Sequence, residues 1–360
     1  MTLKEQGLNK KTTLIGIVMI IAVAIITFGL QTIKTANKTE TLTGYVGGEK
    51  IGFLEDEEVR DILAKKYHIV IDYKKAGSLD MVTADKEGMD FLWPSSQTAL
   101  EMYQEEVGKP YRSEVIFNTP IVIYTRKMVK DALDKQGITY DKDGASYIDM
   151  KALTALIEDG KSWADIGLPD LYGQVEVATT DPTKSNSGNM YAGILANTIA
   201  GGIATENNID TVIPTVKDVF QKLGYMETSS ADIFDQFLKT GVGAKPLVAG
   251  YESQLLEFSK EDPESWNQIK DDVVMLYPVP TSWSSHVLIS LDENGGKLTD
   301  ALLDKDLQKI AFEKHGFRTG NSGTADASAF DGIGIATTIK TVAPLPDYKV
   351  MDKLIKALSE

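Results

Sequence analysis

Two hydrophobic periods alternate along most of the chain. Segments such as "HIVIDY" are runs of β-branched residues typical of strands, whereas "FLEDEEVRDILAKKY" places apolar residues at helical spacing. The two kinds of segment follow each other in β-α-β-α order. This order is typical of a largely parallel sheet covered by helices, so the pattern predicts an α/β fold.

Two such series follow one another, and extended segments separate them. "VIFNTPIVIYT" is a strand interrupted by Pro120, which favours a crossing between lobes over a central strand. "DDVVMLYPVP" leads out of the second series, and "SHVLISL" with the two helices after it is expected to return to the first lobe. The predicted organisation is a tail, anchor and linker at residues 1–40, a first lobe at 41–124, a second lobe at 125–271 and a return to the first lobe at 272–360.

One long apolar segment precedes the lobes. Residues 12–33 carry no charged side chain, and this length is close to the ~20 residues that a membrane-spanning helix needs. Lys4, Lys10 and Lys11 precede it, which by the positive-inside rule keeps that end in the cytoplasm. The length and the lack of an A-x-A-like site favour an uncleaved single-pass anchor in the cell membrane, with an extracytoplasmic globular part, over the alternative of a cleaved signal peptide.

Charge and composition restrict the partners. The formal net charge is −15 and the chain has no cysteine. Binding to nucleic acid is therefore not expected, because phosphate binding requires clustered Lys and Arg. Thiol catalysis, disulfides and cysteine-based zinc sites are excluded.

Polar turns recur between strands and helices. The most donor-rich is "TTDPTKSNSGNMYAGILAN", which begins at Thr179 and changes at Met190 into an apolar helical run. Since helix N-termini at the carboxyl edge of a sheet expose backbone N–H groups, four such turns split between two lobes predict a ligand-binding cleft. The alternative is that they are ordinary helix caps. The candidate ligand-binding residues in these turns are Gly47, Gly48, Ser78, Ser95, Ser96, Thr183, Ser185, Asn186 and Ser187.

Motifs for catalysis or metal binding are missing from the sequence. There is no G-x-S-x-G elbow and no H-E-x-x-H. His68, His286 and His315 are scattered without metal spacing and are interpreted as structural, and "DKDG" is interpreted as a plain turn. The sequence therefore predicts no enzyme, no metal site and no cofactor.

The order of the segments "GYVGGEK", "YKKAGSLDMV", "MDFLWPSSQTAL", "ATTDPTKSNSGNMYAGI", "PLVAGYESQ" and "HGFR" resembles an extracellular solute-binding protein. The resemblance is to the type 2 periplasmic-binding fold, in the molybdate-binding-like branch, over about residues 41–350. It implies a two-lobed α/β fold, here with an N-terminal transmembrane helix, that closes on a small-molecule ligand.

The resemblance also implies roles for individual residues. Ser78 matches a hydroxyl ligand of oxyanion binders, Asn186 and Ser187 match a backbone ligand, and Tyr251 matches a tyrosine hydroxyl. The first turn departs from the pattern, because Gly48 and Glu49 stand where oxyanion binders have a Ser. The expected solute is small and polar or anionic, and a membrane permease of the ABC type is the expected partner. A sensor or scaffold that uses the fold for protein contacts is the alternative.

Overall fold

The computed structural model describes residues 39–319, 326–330 and 332–359. The predicted anchor at residues 12–33 lies outside these ranges. Within them, no helix has the length and hydropathy required to cross a bilayer.

The first part of the chain forms four strands separated by helices. β1 lies between β2 and β3 and runs parallel to both. Among these helices α2 has a side-chain cap, because the Asp56 side chain accepts hydrogen bonds from Glu58 N and Val59 N. The elements are β1 (Glu40–Val46), α1 (Ile51–Glu55), α2 (Glu57–Lys66), β2 (Ile69–Lys75), α3 (Asp80–Thr83), β3 (Phe91–Trp93), α4 (Gln97–Glu106) and β4 (Arg112–Arg126).

The middle of the chain forms a second group of elements around the end of β4. Its "DKDG" segment is a hairpin turn, since Asp143 and Gly144 have positive φ values of 51° and 81°. The elements are α5 (Lys127–Lys135), β5 (Thr139–Lys142), β6 (Ala145–Asp149), α6 (Met150–Glu158), α7 (Asn186–Ala200), α8 (Ile209–Lys222), α9 (Ser230–Lys239), β7 (Leu247–Tyr251), α10 (Glu252–Glu261), α11 (Pro263–Ile269) and β8 (Val273–Val279).

The last part of the chain contributes to both groups. Its elements are β9 (Trp283–Ser290), α12 (Glu293–Leu302), α13 (Lys305–Glu313), β10 (Arg318–Thr319) and α14 (Tyr348–Ser359). The segment "GQVEVATT", which the sequence predicts to be a strand, forms only two isolated bridges, Gln174 with Ser162 and Ala178 with Val248.

All ten strands join in one sheet of order β2-β1-β3-β9-β4-β8-β6-β5, with β7 and β10 also paired to β4. The pairs β1–β2, β1–β3 and β6–β8 are parallel, whereas every pair made by β4 is antiparallel. The sheet is therefore mixed, not largely parallel as expected. The physical reason is that the strands that cross between the two halves run antiparallel to their neighbours.

The passage between the halves lies in the middle of β4. Residues up to Pro120 pair with β9, and residues from Ile121 onward pair with β7 and β8. Two further passages lie beside it, at Thr281 and at Val342, and these two residues form an isolated β-bridge with each other. The Thr281 hydroxyl also donates to Ile121 O at 2.7 Å. Three chain segments thus run side by side between the halves, and the first crosses slightly before the boundary expected at residue 124.

Each half has its own apolar core. The core of the first half contains Phe53, Trp93 and Phe117 together with apolar residues of α12 and α13. The largest cluster lies in the second half and includes Val350, Met351 and Leu354 of α14. The apolar face of the terminal helix therefore packs on the second half, and the start of this helix also contacts α4 of the first half, the lobe to which the sequence assigns residues 272–360. Its amphipathic pattern specifies an apolar face but not the surface that covers this face.

A buried ion pair joins the two halves beside the three passages. Arg318 of β10 donates through Nε to Glu252 Oε1 at 3.0 Å and through Nη2 to Oε2 at 2.9 Å. The Tyr277 hydroxyl donates to the same carboxylate at 3.3 Å. Burial raises the pKa of Glu252, and the adjacent guanidinium opposes this shift. Both side chains are at most 1% exposed, so each charge depends on the other for compensation.

We predict that Glu252→Gln lowers the free energy of unfolding by about 3–5 kcal/mol, because it removes the carboxylate charge that pairs with the buried Arg318 guanidinium. The measurement is urea unfolding of the full chain in mild detergent. Asp61→Asn is the matched control, since it breaks the ion pair between Asp61 and Lys65, whose two side chains are 63% and 75% exposed. This substitution should lower the free energy of unfolding by less than about 1 kcal/mol. Equal losses in the two variants would contradict the assigned role of the Glu252–Arg318 pair.

Candidate functional site

Polar turns from the two halves meet between them. The turn after β3 contains Ser95, and Asn186 is the first residue of α7. Asn186 Nδ2 donates to Ser95 O at 2.9 Å and to the Tyr251 hydroxyl at 3.0 Å. Because Ser95 belongs to the first half and the other two residues belong to the second, this amide connects the two sides of a cleft.

A buried lysine lies on the first-half side of the cleft. The Lys50 side chain is fully buried, and its ammonium group lies 2.5 Å from Glu49 Oε1, 2.8 Å from Ser95 Oγ and 3.2 Å from His286 Nδ1. These three acceptors match its three N–H donors. Trp93 adds a ring 5.7 Å from the ammonium nitrogen. Burial lowers the pKa of Lys50, and the Glu49 carboxylate opposes this shift.

His286 contributes a neutral ring to this cluster. Burial and the nearby Lys50 charge lower the pKa of His286 well below its usual value of 6.5. Since the ammonium donates to Nδ1, the imidazole carries its proton at Nε2. The imidazole ring is therefore an acceptor in this cluster and adds no positive charge to it.

Tyr251 ends β7 and is buried at the opposite side of the cleft. Burial raises the pKa of its hydroxyl, the Glu49 charge adds to this effect, and hydrogen bonds from Asn186, Ser284 and Ser187 oppose it. The hydroxyl therefore stays neutral and can act as a donor or an acceptor.

The hydroxyls of the predicted turns are largely used within the protein. Ser78 Oγ accepts from Ser95 N at 3.0 Å, and Ser187 Oγ lies 2.8 Å from Thr180 Oγ1 and 3.3 Å from Ser185 Oγ. The Thr183 hydroxyl donates to Asp181 Oδ1 at 2.7 Å. The cap and ligand interpretations of these turns are therefore not exclusive, because the hydroxyls that hold the turns also border the cleft.

A small opening between the turns contains an unsatisfied amide. Its volume is about 20 Å³, and it is lined by Gly77, Ser78, Leu79, Asp80, Pro182, Thr183, Lys184, Ser185, Asn186 and Asn189. Asn189 is 3% exposed, and neither its Nδ2 nor its Oδ1 has a hydrogen-bond partner. An unpaired buried amide costs about 1–3 kcal/mol. This side chain is therefore available for a polar group that enters between the halves.

A larger cavity of about 300 Å³ lies beyond the start of α4. Its walls include Ser96, Glu101 and Trp283 from the first half, Met190 of α7 and the apolar segment at residues 342–346. Burial raises the pKa of Glu101, and a hydrogen bond from the backbone of Tyr348 opposes this shift. This cavity is less polar than the small opening.

Most of the predicted site residues lie at the cleft, but their surroundings differ. Gly47 lies at the lysine cluster, since a Cβ there would approach Glu49 Oε1 to 2.4 Å, whereas Gly48 faces Lys75. Ser96 borders the larger cavity only. The sequence did not point to Lys50, His286 or Asn189 as site residues. The position of Lys50, two residues after a Gly-Gly pair at a strand end, was a signal, but its burial is a tertiary property.

Comparison with known proteins places the fold. Neither a family model nor a curated protein matches the chain. Among solved structures, the sulfate-binding protein SubI from Mycobacterium tuberculosis H37Rv is 14% identical with a TM-score of 0.54, over 87% of this chain and 96% of that chain. The periplasmic binding protein AfuA from Actinobacillus pleuropneumoniae, with exogenous fructose-6-phosphate bound, is 13% identical with a TM-score of 0.55, over 88% and 96%.

A third similar structure is the substrate binding protein of the ABC transporter from Agrobacterium tumefaciens. It is 14% identical with a TM-score of 0.53, over 89% of this chain and 94% of that chain. The fold is therefore that of the periplasmic solute-binding proteins, as the resemblance implied. The molybdate-binding-like branch remains a prediction at these identities.

We predict that Gly188→Ala lowers the free energy of unfolding by about 1–3 kcal/mol, because a Cβ would lie 2.1 Å from Thr180 O. Helix propensity alone predicts the opposite sign, since Ala is better than Gly inside a helix by about 1 kcal/mol. Gly202→Ala is the control, with no atom within 4 Å of the added Cβ, and it should change stability by less than about 0.5 kcal/mol. A stabilised Gly188→Ala protein in urea unfolding would contradict this close approach of α7 to the turn before it.

We also predict that His286 makes the protein less stable below pH 6.5. Because the pKa of His286 is lowered in the folded state, the unfolded chain binds an extra proton as the pH falls. This linkage removes at most about 1.4 kcal/mol of stability per pH unit. The measurement is urea unfolding at several pH values between 6.5 and 5, where His286→Gln should have a shallower slope than the wild type. Parallel slopes would contradict a depressed His286 pKa.

Proposed function

We propose that this chain is a membrane-anchored, extracytoplasmic solute-binding protein that captures a small polar solute between its two halves and delivers it to an ABC-type permease. The anchor is the apolar segment at residues 12–33, and the globular part is residues 41–360. The two halves act as lobes that separate and close around the solute.

The fold and the arrangement of the passages support this proposal. Similar solved structures are described as sulfate-binding, fructose-6-phosphate-bound and ABC transporter substrate-binding proteins. Three chain segments run between the halves near Pro120, Thr281 and Val342. A solute that contacts both halves gains interactions only when they approach, and this difference in affinity favours the closed form.

The observation that carries the proposal is the unpaired amide of Asn189. It is buried at the opening between the turns that begin at Gly77 and Pro182, one from each half. Both its donor and its acceptor lack partners, so a solute with hydrogen-bonding groups would satisfy them at little desolvation cost to the protein. The opening is small with the lobes together, and separation of the lobes would admit the solute. The larger cavity suits a polar solute less, because much of its lining is apolar.

We predict that Asn189→Ala weakens solute binding without lowering the stability of the free protein. The expected loss is about 0.5–1.5 kcal/mol for a neutral hydrogen bond, or ~1.5–3 kcal/mol for a charged solute. The solute is first identified by native mass spectrometry of the full chain purified gently in detergent. Its affinity for the wild type and the variant is then measured by isothermal titration calorimetry.

Asn197→Ala is the matched control, because it changes the same residue type on the same helix. Both polar atoms of the Asn197 side chain have partners within the protein: Nδ2 donates to Pro344 O at 2.9 Å and Oδ1 accepts from Ala204 N at 2.8 Å. Its loss should lower stability and leave affinity unchanged. Solute binding that is insensitive to Asn189→Ala would place the solute elsewhere, and the absence of any bound solute together with no stabilisation by a panel of small solutes would contradict the proposed function.

A further inference from the structure

The Glu49 carboxylate occupies the point in the cleft where hydrogen-bond donors converge. A Cβ built on Gly47 would lie 2.4 Å from Glu49 Oε1, 2.9 Å from Lys50 Nζ and 2.9 Å from Ser95 Oγ. These three groups therefore surround one small volume at the end of β1. The Tyr251 hydroxyl lies across the cleft in the second half, where it accepts from Asn186 Nδ2, which also donates to Ser95 O.

This arrangement is the one that a bound oxyanion would require. A buried ammonium, a serine hydroxyl and a tyrosine hydroxyl are suitable partners for a negatively charged oxygen in a site that excludes water. In this chain the negatively charged oxygen belongs to the protein. Among the residues that the structure describes, Glu49 is the one carboxylate within 4 Å of the Lys50 ammonium.

The pairing of Glu49 with Lys50 leaves no net charge for a second anion. All three ammonium donors are already used, and a free oxyanion would meet the Glu49 charge at short range in a poorly solvated site. The Glu49 side chain is only 14% exposed. Its displacement would separate a buried ion pair, which is costly because Lys50 has no access to water.

We propose that Glu49 is a built-in anion that takes the place of a free oxyanion and so sets the specificity of the cleft for an uncharged or cationic solute. This inference rests on the proposed solute-binding function and narrows its class of solute. It also predicts a latent site: without the Glu49 carboxylate, Lys50 and the hydroxyls around it bind a free oxyanion.

The test measures sulfate binding by the full chain in detergent, with sodium chloride at matched ionic strength as the reference salt. Glu49→Ala should bind sulfate at least tenfold more tightly than the wild type, by calorimetry and by a sulfate-dependent rise in melting temperature. Adding Lys50→Met to this variant should abolish the gain. Glu55→Ala is the charge-matched control, because the Glu55 side chain is 55% exposed and outside the cleft, and it should gain nothing.

Glu49→Ala leaves a buried ammonium without its counter-ion, so its folding is measured by circular dichroism with and without sulfate. If the variant unfolds in chloride, recovery of its fold by sulfate supports the inference and a lack of recovery overturns it. Glu49→Gln retains an acceptor for Lys50 and provides a second folded variant, in which a smaller gain in sulfate binding is expected.

Two results would overturn the inference. One is a wild type that binds sulfate as tightly as Glu49→Ala, and the other is folded Glu49→Ala and Glu49→Gln proteins that gain no sulfate affinity. Either result is independent of whether the wild type binds a solute through Asn189. Conversely, a wild type that takes no solute while Glu49→Ala gains sulfate would reject the proposed function and retain the role of Glu49.

Discussion

Strand β4 is the constraint on which the two-lobed arrangement depends. It pairs with β9 and β10 in the first half and with β7 and β8 in the second. Because one strand serves both halves, their relative position is limited to bending near Pro120, where the pairing changes. The turns at the ends of β1 and β3 and the turn before α7 consequently face each other. The cleft is a product of this shared strand.

Within the cleft, the burial of Lys50 governs the electrostatics. A buried ammonium group requires acceptors for all its hydrogens and a compensating charge. Ser95, His286 and Glu49 supply these, and the resulting cluster is neutral overall. The same requirement is met at the passages by Glu252 and Arg318. Of these two buried ion pairs, Glu49–Lys50 lies within the first half at the cleft, whereas Glu252–Arg318 joins the first half to the second beside the passages.

The polar turns combine structural and recognition chemistry. Ser78, Ser187 and Thr183 use their hydroxyls to fix the turns, while Asn186 spans the cleft and Asn189 is left unpaired. In the region that the structure describes, these three hydroxyls are therefore engaged within the protein, whereas both polar side-chain atoms of Asn189 are unpaired. Direct contacts of Ser78 and Tyr251 with the solute, which the resemblance implies, stay a prediction.

Local patterns in the sequence determined the strands, the helices and the donor-rich turns, because hydrophobic period and turn chemistry act over a few residues. They also determined the crossing at Pro120, since a residue without an N–H suits a change of partner strand. Only the tertiary structure decided that the sheet is mixed, that α14 packs on the second half, and that Lys50, His286 and Asn189 lie in the cleft. These properties depend on which distant surfaces meet: the period of α14 specifies an apolar face but not its partner, and whether Lys50 is solvated or buried depends on Ser95 and His286, which are far from it in the chain.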